Sequence, residues 1–250
     1  MIWAWARASC RGTSHFRDGT KCQDTSRCIT VGANNDVLVA VVSDGAGSAR
    51  YGKQGSILTC RTVSESARLY FSKTNTPPTD SELWSWIDLA RDKIAWVAPS
   101  RGSTPREFAA TLVSVIAMEN ETIILHIGDG AAVCSADGQW LVPSWPAQGE
   151  YASTTFFVTD DPQPFFRITR LPHFVDRIAA FSDGIERLVL KFSDQTASAS
   201  FFDKFSATVK NAAQTGHISS LSASLYRYLE SPPINERTDD DKSLIVAVRI

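Results

Sequence analysis

The chain has 250 residues, enough for one large domain or two small ones and for a substantial buried core. Hydrophobic residues make up 43% of it, an ordinary globular share, and the net charge of -2 excludes the strongly basic surface of a general nucleic-acid binder. No apolar run approaches the ~20 residues that span a bilayer, which excludes a transmembrane helix.

The start, Met1-Ile-Trp-Ala-Trp-Ala-Arg, lacks the basic-then-apolar pattern of a secretory signal, so a cytoplasmic location is expected. Residues 2–9 read as a strand, with Trp3 and Trp5 on one face, followed by a polar stretch containing Gly12 and Gly19 and a second strand at 27–32. The five cysteines (Cys10, Cys22, Cys28, Cys60 and Cys134) are odd in number and show no C-x-x-C spacing. They read as reduced thiols, and Cys22 with Cys28 lacks the second pair a zinc site needs. Val37 to Ser43 is a near-continuous apolar run that suits a buried strand. A helix is expected over 51–73, ending before Pro77-Pro78, and another over 80–97 with Asp80 as its N-cap. Strand signals then follow at Phe108–Met118, Thr122–Ile127 and Ala131–Cys134, with Asp137-Gly138 as a hairpin turn. Thr154–Val158, Phe165–Thr169 and Ile178–Phe181 extend the strand pattern. His126, inside an apolar strand, reads as a satisfied core residue, and His173 and His217 as solvated ones. Helices are expected at 184–191, 200–213 and 218–230, and a final strand at Leu244–Val248. The pattern gives an α+β or layered α/β arrangement in one domain over 1–250, with a lid or flap placed in 185–238.

Three apolar runs end in the same dipeptide. Val37–Ser43 runs into Asp44-Gly45, Ile123–Gly128 into Asp129-Gly130, and Ile178–Ser182 into Asp183-Gly184; Asp239-Asp240-Asp241 precedes the last apolar run. A strand end is a rigid base for a carboxylate. Several carboxylates at one end of a sheet repel one another unless hard divalent cations with oxygen ligands neutralise them. The glycine after each Asp permits an unusual backbone angle and a close approach to its carbonyl, a further candidate ligand. A single Asp-Gly is an ordinary turn signal; three of them plus an acidic triplet point to a metal centre.

In order, Ser43-Asp-Gly-Ala-Gly-Ser, Ile127-Gly-Asp-Gly, Phe181-Ser-Asp-Gly and Asp240-Asp-Lys-Ser resemble the successive motifs of the protein phosphatase 2C family of metal-dependent Ser/Thr phosphatases. Gly12-Thr-Ser-His with Cys22-Gln-Asp, Phe108-Ala-Ala-Thr-Leu, Gly149-Glu-Tyr-Ala and the tail Asn235-Glu-Arg-Thr-Asp-Asp-Asp-Lys-Ser are similar to its stand-alone bacterial branch, so the resemblance runs from about residue 8 to 250. It implies an α+β fold, a four-layer αββα sandwich of two mainly antiparallel sheets flanked by helices. It implies two metal ions, Mn²⁺ or Mg²⁺, with a third in some members. Asp44 would bridge both ions, the Gly45 carbonyl would bind one, and Asp183 and Asp240 would complete the second. Asp24 would hold a metal-bound water, and Asp129 resembles the third-ion position. The implied reaction is hydrolysis of phosphoserine or phosphothreonine in a phosphorylated protein, by attack of a hydroxide bridging the two metals. A monomer is expected.

Two departures from the family pattern matter. The arginine that grips phosphate in many relatives is replaced by Gly19, leaving Arg17, Arg11 or His15 as candidates, and Arg17 and His15 are the phosphate-binding residues expected here. The histidine that follows the first Asp-Gly in many eukaryotic members is Ala46, which leaves His15 or water to protonate the leaving group. Two rival readings are a non-catalytic phosphoprotein-binding module of the same fold and a nucleotide-binding loop at Gly47–Gln54, where Gln54 stands in place of the magnesium-binding hydroxyl.

Overall fold

The computed structural model describes residues 2–147, 155–161 and 163–250. In chain order it contains β1 (Trp3–Cys10), α1 (Thr13–Arg17), β2 (Thr25–Val31), β3 (Val37–Ser43), α2 (Gly52–Phe71) and α3 (Asp80–Val97). Next come β4 (Leu112–Ala117), β5 (Thr122–Ile127), β6 (Ala131–Ala136), β7 (Gln139–Ser144), β8 (Arg167–Leu171) and β9 (Arg177–Phe181). The last part holds α4 (Asp183–Val189), β10 (Leu190–Lys191), β11 (Thr196–Ala197), α5 (Ala199–Asn211), β12 (Gly216–His217), α6 (Ser219–Leu229), α7 (Pro232–Asn235) and β13 (Lys242–Arg249).

Among the described residues two large sheets form, in the orders β12-β1-β13-β9-β6-β7 and β2-β3-β4-β5-β8, beside the small β10-β11 pair. Every pairing is antiparallel except that of β1 with the two-residue β12. β3, β4 and β9 carry apolar side chains on both faces because both faces are covered. Leu38, Ala40, Val42, Val113, Val115, Ile178 and Ala180 point between the sheets, joined there by Trp3 and Trp5. Val39, Val41, Leu112 and Ile116 point the other way, onto Val63, Ala67, Leu83 and Ile87 of α2 and α3. Val133, Phe181 and Val246 face Phe202, Val209, Leu225 and Leu229 of α5 and α6. The result is the four-layer αββα sandwich.

Several expectations are corrected. The segment 185–238 forms no separate lid: α5 and α6 are an outer layer, tied into the core by Phe202 and Leu229. The N-cap of α3 is Thr79, which makes a reciprocal capping box with Glu82, while Asp80 pairs with Arg170 at 2.7 Å. The run from Phe108 becomes a strand only at Leu112, because Pro105–Phe108 is a short 3₁₀ turn. Of the expected strand Thr154–Val158, residue 154 lies outside the described residues and 155–157 are irregular. There Phe157 N–H donates to Asp160 and Asp160 N–H to the Phe157 carbonyl, closing a turn instead of a ladder. The Gly149–Ala152 run also lies outside the described residues.

Candidate active site

The acidic strand ends meet at one end of the sandwich. Asp24 immediately precedes β2, Asp44 follows β3, Asp129 lies in the crossing from β5 to β6, Asp183 opens α4 directly after β9, and Asp240 precedes β13. A cleft of about 520 Å³ is lined by Asp44, Gly45, Asp129, Asp183 and Asp240 together with Ser14, His15, Gly47, Ser48, Thr155 and Phe157. Asp24 lies fully buried beneath it.

The backbone around these carboxylates is fixed. Asp44 N–H donates to Thr111 Oγ1 and the Asp44 carbonyl accepts Thr111 N–H, at 3.0 and 2.8 Å. Ser182 Oγ donates to Asp24 Oδ2 at 2.7 Å and accepts the Ser243 N–H at 2.9 Å, which ties β9, β13 and the start of β2 together under the cleft. The glycines after Asp44 and Asp183 are required for close approach, whereas the unusual backbone angle expected from the sequence is absent at both. A Cβ on Gly45 would stand 2.3 Å from the Gly52 carbonyl carbon, and one on Gly184 would stand 1.8 Å from the Asp241 carbonyl oxygen.

Burial pushes Asp44 and Asp183 well above the ordinary carboxylate range, reinforced by the charge of Asp24 on the first and of Asp129 and Asp240 on the second. Asp24 is pushed up to about 6 by burial, with hydrogen bonds from Asp44 and Ser182 opposing. Asp129 and Asp240 are raised as well, and Glu186, behind Asp129, is pushed up to about 7 by burial and by that neighbour. Asp24 Oδ1, Asp129 Oδ1, Asp183 Oδ1 and Glu186 Oε2 are buried without a hydrogen-bond partner. Orphaned carboxylate oxygens around a shared cleft fit hard divalent cations. Among the described residues no three His, Cys, Asp or Glu side chains close on one point.

The two expected phosphate binders differ in position. His15 lines the cleft; its Nδ1 stands 3.0 Å from Asp241 Oδ2 and its side chain is 17% exposed. Asp241 is buried and also accepts the N–H groups of Gly12 and Gln23. Arg17, on the same short helix, is exposed and pairs with Asp239 at 3.1 Å outside the cleft-lining set. Arg11 lies over the Phe16 ring and donates to the His15 carbonyl.

Sequence reasoning missed Asp241, Ser182 and Thr155, whose Oγ1 donates to Asp129 Oδ2. Three successive aspartates reveal an acidic loop but not which one turns inward. A serine beside a strand-end aspartate carries no distinguishing signal at all. Lys53, the lysine of the nucleotide-loop reading, donates to the Asp24 carbonyl at 2.6 Å and lies outside the cleft lining. His126 is buried against Ser144 at 2.7 Å, and burial pushes it down to about 3, so it is a neutral core residue. All five cysteines are free; burial raises Cys10 and Cys134 to about 12, which makes them poor nucleophiles.

Comparison with known proteins agrees with this geometry. The sequence pattern described as Protein phosphatase 2C matches residues 11–230. Serine/threonine-protein phosphatase 3 of Escherichia coli is 32% identical over 258 residues, covering 99% of each chain. The crystal structure of serine/threonine phosphatase Stp1 from Staphylococcus aureus superposes with a TM-score of 0.63 at 17% identity, covering 100% of this chain and 96% of that one. The catalytic domain of the serine threonine protein phosphatase PstP, solved with two manganese ions, gives 0.62 at 16% identity over 99% of this chain and 98% of that one. At these identities the superpositions speak for the fold.

Proposed function

The chain belongs to the protein phosphatase 2C family, and on that premise we propose that it is a metal-dependent phosphatase hydrolysing phosphoserine and phosphothreonine in proteins. The observation that carries the reading is the gathering of Asp44, Asp129, Asp183 and Asp240 around one cleft, with an unpartnered buried carboxylate oxygen on Asp129 and another on Asp183. A phosphoprotein-binding module has no chemical need for that much unneutralised acid.

In this reading Asp44, the Gly45 carbonyl, Asp183 and Asp240 would hold two divalent ions, Mn²⁺ or Mg²⁺. Asp24 would hold a metal-bound water and Asp129 would hold a third ion. When bound, such ions lower the pKa of a coordinated water and neutralise the phosphate oxygens. Hydrolysis replaces the bond from phosphorus to the serine or threonine oxygen with one to a water oxygen, and the departing oxygen must gain a proton. His15 is the group on this chain suited to supply it. Asp241, held by two backbone N–H groups, stands 3.0 Å from its Nδ1 and fixes where the imidazole sits. Ser14 and His15 also meet the phosphate, while Arg17 reaches it only if its pair with Asp239 opens. We assign the whole of 1–250 to one catalytic domain, working as a cytoplasmic monomer.

The test is turnover of p-nitrophenyl phosphate and of a phosphoserine peptide, with Mn²⁺ or Mg²⁺ and after exhaustive chelation. Activity only with metal is expected. Turnover that survives chelation would overturn the reading.

A further inference from the structure

The catalytic cleft does not end at the acidic cluster. Its wall residues Ser48, Thr155 and Phe157 also line a second cavity of about 770 Å³. That cavity continues past Arg106, Thr159 and Asp161 into a third, of about 430 Å³, against α3. An open path therefore runs from the aspartates, over the Pro105–Phe108 turn, to the outer helical layer. The volume of the second cavity lies within the range of sites that enclose a ligand larger than a phosphate group.

The second cavity has an apolar floor and an acidic rim. Ala49 and Ala109 pack with Phe157 to form the floor. On the rim stand Glu107, Asp160 and Asp161 against Arg106, the one arginine of that lining among the described residues. Two of the carboxylates are held in place. Glu107 accepts the Arg50 N–H at 3.0 Å while its carbonyl accepts the Tyr51 N–H at 2.7 Å; Asp160 accepts the Phe157 N–H at 2.8 Å. Each keeps further acceptor capacity for a ligand. A lysine or arginine side chain fits such a surface in both its parts, its aliphatic stem on the floor and its charged head at the rim.

We propose that this groove receives the polypeptide flanking the phosphorylated residue and selects substrates with a basic residue there. The proposal rests on the phosphatase reading, since it is the cleft that fixes the phosphoryl group at one end of the groove. A small aryl phosphate fills the cleft alone, so the groove acts only on peptides. Exposed charge pairs of this kind are each worth up to about 1 kcal/mol, a preference of about fivefold per pair.

The experiment compares kcat/KM for phosphoserine peptides carrying lysine, alanine or glutamate at each of the flanking positions, normalised to p-nitrophenyl phosphate on the same Mn²⁺-loaded enzyme. Lysine peptides are expected to exceed alanine peptides by about fivefold, and alanine peptides to exceed glutamate peptides. In Glu107→Gln combined with Asp161→Asn the lysine preference is expected to vanish, and in Asp161→Lys to turn toward glutamate, a gain that misfolding cannot imitate. Hydrolysis of the aryl ester with no preference among peptides overturns the groove alone, as does a lysine preference that persists in both variants. Failure to hydrolyse any substrate overturns the phosphatase reading and the groove with it.

Discussion

Asp183 is held in a setting that disfavours its charge. Burial and the charges of Asp129 and Asp240 push its carboxyl well above the ordinary range, whereas the proposed role as a metal ligand requires it to be ionised. Asp183→Asn and Asp240→Asn preserve shape and remove that charge. Each is expected to lower kcat by about 10²-fold or more at saturating Mn²⁺ while far-UV circular dichroism stays that of the parent. Near-normal rates in either variant would show that the ligand is elsewhere. His15 makes a different prediction. The serine oxygen is a poor leaving group that needs a proton, whereas p-nitrophenolate leaves without one. His15→Gln is therefore expected to cut kcat on a phosphoserine peptide by about 10²-fold and to cut it far less on p-nitrophenyl phosphate. Equal losses on both substrates would make His15 a binding residue only. The gathering of the strand-end aspartates was legible in the sequence because a strand gives each Asp-Gly a fixed exit from the sheet. The partners of those residues were not. Asp241 and His15 lie near opposite ends of the chain, and only the folded register of β13 beside β1 brings them together.

α4 and β13 show how an element holds the site. The first turn of α4 presses its backbone against the entry to β13 at Gly184, where no Cβ fits beside the Asp241 carbonyl. Gly184→Ala must separate the two, which moves Asp183 away from Asp240. Overpacking of this kind costs about 1–3 kcal/mol. A fall in Tm together with a loss of kcat that excess Mn²⁺ does not restore is expected, measured by differential scanning fluorimetry and steady-state kinetics. An unaltered kcat would mean that the helix start tolerates displacement. At this scale the sequence was most legible where one signal dominated. β3, apolar at every position but its last, and α3, with its helical apolar face, have the bounds expected of them. The Asp137-Gly138 turn is as expected, with φ of 50° and 79°. It was less legible where signals competed. β7 carries Pro143 and mixed exposure, and only its hairpin partner makes it a strand. α1, five polar-leaning residues, owes its place to contacts that are distant in sequence, the Ser14 N–H and Oγ both donating to the Asp239 carbonyl.

For the whole molecule, the acidic end of the sandwich makes stability depend on pH and metal together. In the metal-free protein Asp24 is raised to about 6 and Glu186 to about 7, with Asp44 and Asp183 also raised well above the ordinary range, against values near 4 in the unfolded chain. The folded state therefore binds more protons than the unfolded state once pH exceeds about 4, so its stability falls as pH rises, through 6 and 7, and continues to fall until these groups have ionised. A tenfold difference in a buried group's proton affinity between folded and unfolded chain is worth on the order of 1 kcal/mol, and for a chain of this size 1 kcal/mol moves Tm by about 2–4 °C. Divalent cations oppose the trend. They bind the ionised carboxylates, release their protons, and stabilise the folded state in proportion to the logarithm of metal over Kd. Chelated protein is expected to lose several degrees of Tm between pH 5 and pH 8, and Mn²⁺ to raise Tm more at pH 8 than at pH 5. The Asp183→Asn protein should show a shallower pH slope and a smaller rise with Mn²⁺, because one charge has left the cluster. Thermal scans across that pH range, with and without Mn²⁺, decide the matter. A metal-free Tm that climbs toward pH 8, or a rise with Mn²⁺ that is larger at pH 5, would contradict a cluster whose repulsion is relieved by bound cations.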